Sequence, residues 1–392
     1  MSTTRMGVSA TDAPPIAGAA RVGAAPVGAA PVGAAPTGAA PTGAASRVGT
    51  RAGSASSSAA ARSRPRALRG ILVLGASLVV LAVVVLASLA LGVRGIDVSE
   101  VWRALTAPDL TDPDQAVIVQ LRVPRTVIGL AAGVALGLAG TLIQGVTRNP
   151  IADPGLLGVN SGASLAVVLG ISLLGITAPL QFIWLAFAGA AIAAVVVFAI
   201  GGARPVRLAL VGAAVTALLT PLIALVLLRD TEAFNQYRFW AVGSLTGRDL
   251  STIAALWPFL AVGVVLAVAL AHRFNLLALG DDVAGALGQR VGVTRAVSGL
   301  AIVLLSGTAV ALAGPIALVG LVVPHAARRL VGSDYRWITA AALLFGPVML
   351  LTADVIGRLI VPNAELEAGV VAAFLGAPVL IAIARSRRVA GL

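Results

Sequence analysis

Long apolar runs separated by short polar stretches recur along this chain from residue 70 onward. A helix needs about 20 apolar residues to cross the hydrocarbon core of a bilayer, and most of the runs reach that length. The 316–330 run is shorter and predicts a partial or tilted helix. The pattern predicts ten transmembrane helices, at 70–92, 118–146, 155–175, 180–201, 207–228, 252–271, 295–313, 316–330, 336–360 and 367–385.

The stretch 121–165 is the most informative part of the chain. It joins an Arg-x-x-Arg pair, a helix rich in small residues, a polar Asn-Pro…Asp-Pro-Gly turn and a second helix rich in small residues. Most of the 44 glycines fall inside apolar runs. There they let helix backbones approach closely, as packed transmembrane helices require. The polar turn is therefore predicted to be a hinge that contacts another component.

Composition places the chain among membrane proteins. It is 58% hydrophobic and 11% charged, with a mean hydropathy of +0.99, which lies far outside the range of soluble domains. The predicted fold class is an all-α polytopic membrane protein. Its absence of Cys excludes disulfides and thiol chemistry, and its two His leave little for a histidine metal site. All 28 basic residues are Arg, so a P-loop lysine is missing and energy from ATP must come from a partner.

Charge predicts the orientation of the chain in the membrane. A cluster of arginines, Arg62, Arg64, Arg66 and Arg69, directly precedes the first apolar run. An even number of spans puts both termini on one side. The loops that this arrangement assigns to the cytoplasm are richer in Arg than in acids, and the opposite holds outside. The positive-inside rule therefore predicts that both termini are cytoplasmic.

The first 66 residues differ in kind from the rest. They contain a five-residue Ala/Gly/Pro repeat, VGAAP, followed by a Ser/Ala/Arg-rich stretch. Such a segment has no large apolar side chains to bury, so we expect residues 1–66 to be a disordered tail. Residues 67–392 are then the membrane domain. A signal peptide is disfavoured because the first apolar run is long and no small-x-small cleavage site follows it.

The longest cytoplasmic loop between predicted spans is 272–295. Leu276, Leu277, Leu279, Val283 and Leu287 fall near one helical stripe, and Gly280 and Gly288 break the segment into short helices. Two interpretations remain open from periodicity alone. The loop helix either lies against its own bundle or fits a cleft on a cytoplasmic partner as a coupling element.

Three arginines at predicted outer helix ends run against the positive-inside trend: Arg122, Arg125 and Arg358. They are explained either by snorkelling to lipid headgroups or by a docking surface for an acidic partner, since the fork of Arg donors suits carboxylates. Asp354 is an intramembrane acid and so a functional candidate. Arg358 lies one turn after it, which makes a structural ion pair the favoured role.

Several motifs together carry a family resemblance. The chain resembles the FecCD-type permeases of ABC importers for iron-siderophores, haem and cobalamin over about residues 68 to 388. The motifs are RVPRT (122–126), QGVTRNPIADPGLLGVNSGA (144–163), ALG with DDVAGALG (278–288), GPIALVGLVVPHAAR (314–328), ADVIGR (353–358), ELEAGVV (365–371) and LGAP (375–378).

The resemblance implies a type II ABC importer permease of about ten helices in a bacterial cell membrane, most simply for a ferric siderophore. Its implied partners are a second permease subunit, two ATPase subunits on the 272–295 loop, an extracytoplasmic binding protein, the metal chelate and lipid, with no nucleic acid. The chain itself would be no enzyme and bind no cofactor or metal, with ATP and Mg held by the ATPases. The chelate and the choice of homodimer or heterodimer stay open.

The resemblance also assigns residues. The binding protein would dock at Arg122, Arg125 and Arg358. One departure is Glu367, where the family usually has Pro, which adds negative charge beside that docking surface. The coupling loop would comprise Leu279, Gly280, Asp281, Asp282, Ala286, Leu287 and Gly288. The motif and translocation-path residues would be Gln144, Asn149, Pro150, Asp153, Pro154, Gly155, Gly158, Ser161, Gly162, Gly314, Pro315, Pro324 and His325.

The main alternative is an ion-coupled secondary transporter. It would need intramembrane carboxylates placed for ion coupling, and Asp354 is the clearest candidate. A structural or signalling membrane protein is disfavoured because nothing in the chain resembles a receptor domain.

Overall fold

The computed structural model describes residues 55–176, 178–202, 205–361 and 364–385, and across these ranges the chain is helical with short connecting loops. A π-helical turn, Ile118–Arg122, and a 3₁₀ turn, Pro154–Leu157, interrupt the α-helices. The α-helices are α1 (Ala55–Ala90), α2 (Val98–Thr106), α3 (Pro113–Val117), α4 (Val123–Thr147), α5 (Val159–Leu174), α6 (Pro179–Gly201), α7 (Pro205–Arg229), α8 (Thr231–Ala241), α9 (Leu250–Leu277), α10 (Asp281–Ala286), α11 (Val291–Ala313), α12 (Val319–Val331), α13 (Tyr335–Ile360) and α14 (Ala368–Arg385).

Each predicted transmembrane segment coincides with one α-helix of the structure. Within the described ranges, seven helices are long and apolar enough to cross a membrane: α1, α4, α6, α7, α9, α11 and α13. The other three segments form α5, α12 and α14, which are apolar but shorter. The all-α membrane fold is therefore confirmed, while the count of ten spans and the side of the termini stay predictions.

The predicted boundary between tail and membrane domain, at residue 66, falls inside α1. Residues 55–66 already belong to α1, and their many alanines have the highest helix propensity of any residue type. Residues 1–54 lie outside the described part of the chain.

The centre of the bundle is formed by α4, α11 and α13, whose apolar windows are mostly buried. The windows of α1 and α7 are mostly exposed along apolar side chains. Such surfaces are suited to lipid or to another membrane subunit, since lipid tails are as apolar as the side chains themselves.

Glycines set how closely the central helices pack, as the small-residue pattern predicts. A Cβ added to Gly140 on α4 would lie only 1.9 Å from the carbonyl oxygen of Gly320 on α12. A Cβ on Gly133 would lie 2.5 Å from the backbone of Pro347 on α13. Because the opposing atoms are backbone, no side-chain movement can relieve these contacts.

Helix boundaries differ from the prediction where backbone caps act. The second predicted span begins in the π-helical turn before α4. The third begins at Val159 instead of 155, because Asp153 caps the separate 3₁₀ turn and Gly158 then takes a left-handed conformation with φ 70°. Helix α9 runs on to Leu277, six residues beyond its predicted end.

Candidate functional sites at the two ends of the bundle

A buried ion-pair cluster lies where α4 begins and α13 approaches its end. Arg125 Nε donates to both carboxylate oxygens of Asp354, at 2.9 and 3.1 Å, and its Nη2 lies 2.7 Å from Asp354 Oδ1. Arg358 Nη2 lies 2.9 Å from the other oxygen, Oδ2. Two guanidinium groups thus enclose one carboxylate that is fully buried, which satisfies a charge that would otherwise be strongly destabilising.

Two arginines tie the end of α1 to this cluster. Arg358 Nη1 donates to the carbonyl oxygens of Ser88 and Leu91, each at 2.9 Å. Arg122 Nη1 donates to the carbonyl oxygen of Leu89 at 2.7 Å. The last carbonyl groups of a helix have no partner within it, so these guanidinium donors both cap α1 and fix its position.

A short loop between α13 and α14 completes the cluster. Its Glu365 Oε2 accepts a hydrogen bond from Arg125 Nη1 at 2.7 Å. The loop can lie this close because a Cβ on Gly357 would be only 2.2 Å from the carbonyl oxygen of Leu366, and the Leu366 amide donates to the Gly357 carbonyl at 2.9 Å.

The structure places Arg122, Arg125 and Arg358, the residues of the predicted docking surface, inside the bundle. The exposed fractions of the three residues are 6, 8 and 3%, because carboxylates and helix-end carbonyl oxygens inside the bundle take up their donors. The alternative pair of Asp354 and Arg358 is confirmed. That these arginines contribute to docking stays a prediction. They are buried, but an open cavity lies beside them.

That cavity has a volume of about 760 Å³ and is bordered by the arginine cluster and the loop between α8 and α9. Its wall includes Arg248, which is half-buried and makes no hydrogen bond or ion pair with any described residue. Burial lowers the pKa of Arg248 to about 10, so its side chain is charged at neutral pH. Arg248 was not among the predicted site residues, although an arginine in a predicted outer loop is a usable signal.

Glu367 lies beside the same loop. It borders a second cavity of about 280 Å³ together with Arg248. Glu367, the residue that departs from the family pattern, therefore lies near the unpaired guanidinium of Arg248. Both residues are at the end of the bundle that the sequence predicts to be outside the cell.

At the opposite end, Gln144 of α4 joins three segments. Its Nε2 donates to the carbonyl oxygens of Ala152, Gly320 and Leu321 at 3.3 to 3.4 Å. Its Oε1 accepts a hydrogen bond from Arg328 Nη1 at 2.5 Å. A buried amide with both ends satisfied holds the polar turn and α12 against α4.

A second polar link at this end had no distinctive sequence signal. Asn275 Oδ1 accepts from the Tyr335 amide at 2.8 Å, and Asn275 Nδ2 donates to Asp334 Oδ1 at 2.7 Å. Asp334 also caps α13 by accepting from the Arg336 amide. Single polar residues of this kind are common in loops, so only the structure shows that they join α9 to α13.

The polar turn after α4 is held by its own side chains. Asn149 Oδ1 accepts from the Ile151 amide at 3.1 Å, and Asp153 Oδ1 accepts from the Gly155 amide at 2.8 Å. Burial raises the pKa of Asp153 to about 6. These Asx turns, with Pro150 and Pro154 fixing φ, define a rigid corner where the sequence predicted a hinge.

The remaining motif residues are spread over the bundle. Gly162 on α5 packs against α6, where a Cβ would lie 2.4 Å from the carbonyl oxygen of Gly189. Gly314 has φ 72°, and a Cβ added there would lie 2.5 Å from the carbonyl oxygen of Trp240. Ser161, Pro315, Pro324 and His325 do not join these contacts into one site, and a path role for the motif residues stays a prediction.

The predicted loop 272–295 contains the short helix α10, bounded by glycines. Gly280 and Gly288 have φ values of 109° and 82°, a region that strongly favours glycine. The predicted breaks at the two glycines are confirmed, but they leave one short helix, α10, because residues 272–277 continue α9 and residues from 291 onward belong to α11.

The predicted apolar stripe of this loop is divided by that break. Leu277 is buried and belongs to α9, and Leu276 is partly buried beside it. Leu279, Val283 and Leu287 are exposed. Exposed large apolar side chains on so short a helix are typical of an interaction surface, and Asp282 and Ala286 are exposed beside them.

Comparison with known proteins agrees with this architecture. The FecCD transport family matches residues 80–386. The chain is 45% identical over 316 residues to the ferric enterobactin transport system permease protein of Escherichia coli, covering 79% of this chain and 94% of the relative. It is 34% identical over 315 residues to the hemin transport system permease protein of Yersinia pestis, covering 78% and 93%.

A solved structure described as an inward-facing conformation of a metal-chelate type ABC transporter matches with a TM-score of 0.70 and 27% identity, covering 79% of this chain and 98% of that one. The chain is a multi-pass protein of the bacterial inner membrane and a transport subunit, not itself an enzyme. It acts with a partner ATPase and a binding protein. By its sequence over most of its length and by its fold, the chain belongs to the FecCD transport family.

Proposed function

We propose that this permease moves a ferric siderophore, delivered by an extracytoplasmic binding protein, into the cytoplasm. The observation that carries the proposal is the 45% identity to the ferric enterobactin permease over 94% of that protein. Because the hemin permease is also a relative, the substrate is the part of the proposal that most needs a direct test.

The test is uptake in cells that lack their own siderophore permease. The chain is expressed with its ATPase and binding protein, and uptake of radiolabelled ferric siderophores, haem and cobalamin is compared. We expect ATP-dependent uptake of a ferric siderophore. Uptake of haem or cobalamin alone would contradict the substrate, and uptake driven by a proton gradient without the ATPase would favour a secondary transporter.

A secondary transporter is disfavoured by the state of Asp354. An ion-coupling carboxylate must release and bind its ion during each cycle. Asp354 is instead enclosed by Arg125 and Arg358, so its charge is already compensated inside the protein.

The proposed orientation places α10 in the cytoplasm and the arginine cluster outside. Two ATPase subunits, which bind ATP and Mg, contact α10 and its flanking residues through the exposed side chains of Leu279, Val283 and Leu287. A second permease subunit, identical or a sister chain, packs on the apolar surface left by this one. Substrate passes between the two permeases when ATP binding closes the ATPases and the helices rock.

The coupling role of α10 predicts a specific defect. Changing Gly288 to Val forces a β-branched residue into a left-handed conformation at a cost of about 1–2 kcal/mol, and Leu287 to Asp puts a charge into the ATPase contact. We expect both variants to insert normally but to lose most ATP-driven uptake, measured as uptake and ATP hydrolysis in proteoliposomes.

The control is Gly292 to Val. Gly292 is the second residue of α11, has no positive φ, and has open space around an added Cβ. This variant should transport like wild type. Wild-type uptake by the Gly288 and Leu287 variants would show that α10 is not the coupling element.

We propose that the binding protein docks over the arginine cavity and that its acidic side chains meet the unpaired charge of Arg248, with Arg122, Arg125 and Arg358 adding positive potential behind it. Changing Arg248 to Glu should slow docking and reduce uptake at limiting binding protein, because interface charges act largely on association rate. Docking should weaken as salt rises, because mobile ions screen charges at an interface.

The matched control is Arg229 to Glu, an exposed arginine at the end of α7. It changes the net charge equally without touching the cavity. Association rates are measured by surface plasmon resonance on the permease in nanodiscs. An equal loss in both variants would mean that net charge, and not the cavity, controls docking.

A further inference from the structure

One carboxylate joins α10 to two of the long helices. Asp281, the first residue of α10, accepts from Arg148 Nη2 through Oδ1 in a close contact. Arg295 Nη2 lies 3.0 Å from Asp281 Oδ2 and 3.1 Å from Oδ1. Arg148 is the C-terminal cap of α4 and Arg295 lies in the second turn of α11. The interaction is therefore a three-way junction between α4, α10 and α11.

The junction is directional. Asp281 and the next residue, Asp282, are both acidic, yet within the described part of the chain only Asp281 takes part in an ion pair. Val283 of α10 and the flanking Leu279 and Leu287 are exposed, whereas Asp281 connects back into the bundle. The exposed apolar side chains and the carboxylate that contacts the bundle are thus different residues of one short segment, 279–287.

Few other contacts hold α10. Ala284 is its one fully buried residue, and left-handed glycines lie on either side of the helix. Just beyond it, Gln289 Nε2 donates to the Arg273 carbonyl and to Thr294 Oγ1, each at 3.2 Å. Among the described residues, Asp281 is the one side chain of α10 that forms ion pairs with α4 and α11.

Arg148 and Arg295, the two partners of Asp281, both lie on central helices of the bundle. Arg148 has φ 50°, one of two described non-glycine residues with positive φ, and such a conformation persists only where the surroundings hold it. Its helix, α4, runs through the centre of the bundle to Arg125 in the buried cluster. Arg295 has a mostly buried side chain on α11, the other central helix.

We propose that Asp281 is the positioning residue that transmits movement of α10 into α4 and α11. The inference rests on the proposed function, because it takes α10 to be the element on which the ATPases act. Asp281 does not itself need to touch the ATPase. Its carboxylate holds the ends of two central helices to α10, so that all three move together when α10 is displaced.

The first experiment uses the full complex in proteoliposomes. Arg148→Gln and Arg295→Gln, which each remove one ion pair, should lower the amount of substrate imported per ATP hydrolysed by up to about fivefold. Asp281→Asn removes both ion pairs and should lower it further. Binding of the ATPases and expression should be unchanged. Asp281→Asn combined with Arg148→Gln should be no worse than Asp281→Asn alone, because both remove the same contact. Arg329→Gln removes an exposed arginine of α12 outside the junction and should match wild type.

The second experiment exploits the absence of cysteine from the chain. Arg148→Cys with Asp281→Cys gives a single thiol pair, which a short bifunctional reagent with a cleavable disulfide links covalently. The linked protein should regain coupling and lose it again on reduction. A purely structural effect of the substitutions would not respond to the linker.

Three results would overturn the proposal. If Asp281→Asn imports as much substrate per ATP as wild type, Asp281 does not transmit the movement. If that variant no longer binds the ATPases, Asp281 is instead a contact residue. A linked pair that stays uncoupled would exclude transmission through this junction. Failure of the proposed function looks different, since the wild-type complex would then import no ferric siderophore with ATP.

Discussion

Changing Gly140 to Val is expected to prevent the chain from reaching its folded state. A Cβ at this position would lie 1.9 Å from the carbonyl oxygen of Gly320 and 2.5 Å from its Cα. Overpacking that a side chain can relieve costs about 1–3 kcal/mol. Here both opposing atoms are backbone, so α12 would have to move away from α4, and Gln144 would lose its bonds to the Gly320 and Leu321 carbonyl groups.

The variant is expressed and solubilised in detergent. The yield of folded protein is measured by size-exclusion chromatography, and its stability is measured as the thermal unfolding temperature. Gly75 to Val is the matched control, because Gly75 lies in α1 with nothing within 4 Å of an added Cβ. That variant should behave like wild type. A folded Gly140 to Val protein with an unchanged melting temperature would mean that the two helices are not in contact as described.

Changing Asp354 to Asn is expected to have the second largest effect. The substitution leaves Arg125 and Arg358 buried beside each other with a single remaining acid, Glu365, on Arg125 alone. Removing one partner of a buried ion pair costs about 3–5 kcal/mol. Most of that cost comes from the charges left behind, so it should appear as lost stability before any loss of docking.

Two comparisons isolate this effect in thermal unfolding. Asp114 to Asn breaks the exposed pair with Arg94, 3.2 Å apart, and should cost at most about 1 kcal/mol. Asp354 to Asn combined with Arg358 to Leu removes one cation together with the acid and should be more stable than Asp354 to Asn alone. If the double variant is the less stable of the two, Arg358 stabilises the bundle mainly through the carbonyl groups of α1 and not through Asp354.

The double variant also bears on docking. If it folds and yet binds the external protein poorly, Arg358 contributes positive potential at the cavity. If docking is normal, Arg358 acts only within the fold.

Local pattern was enough to place the helices. Hydropathy alone located every long apolar helix among the described residues, since a segment that crosses lipid must satisfy its own backbone as a helix and present mostly apolar side chains. Gly280 and Gly288 were recognisable as breaks because a left-handed φ is a property of one residue and its neighbours. The i, i+4 pair of Asp354 and Arg358 was recognisable for the same reason, as both residues lie on one helix.

The state of the arginines was decided only by the tertiary structure. The sequence shows that Arg122 and Arg125 open a helix, but not that Asp354, 229 residues away along the chain, takes up the donors of Arg125. It equally could not show that Arg248 has no partner among the described residues, or that Asp281 joins two helices while Asp282 does not. Periodicity reports which face of a helix is apolar, whereas charge pairing depends on which distant segment packs against that face. The sequence by itself therefore determined the class of the protein, the positions of its helices and the glycines that interrupt them. The packing of those helices decided which charged side chains are paired inside the fold and which remain free to bind a partner.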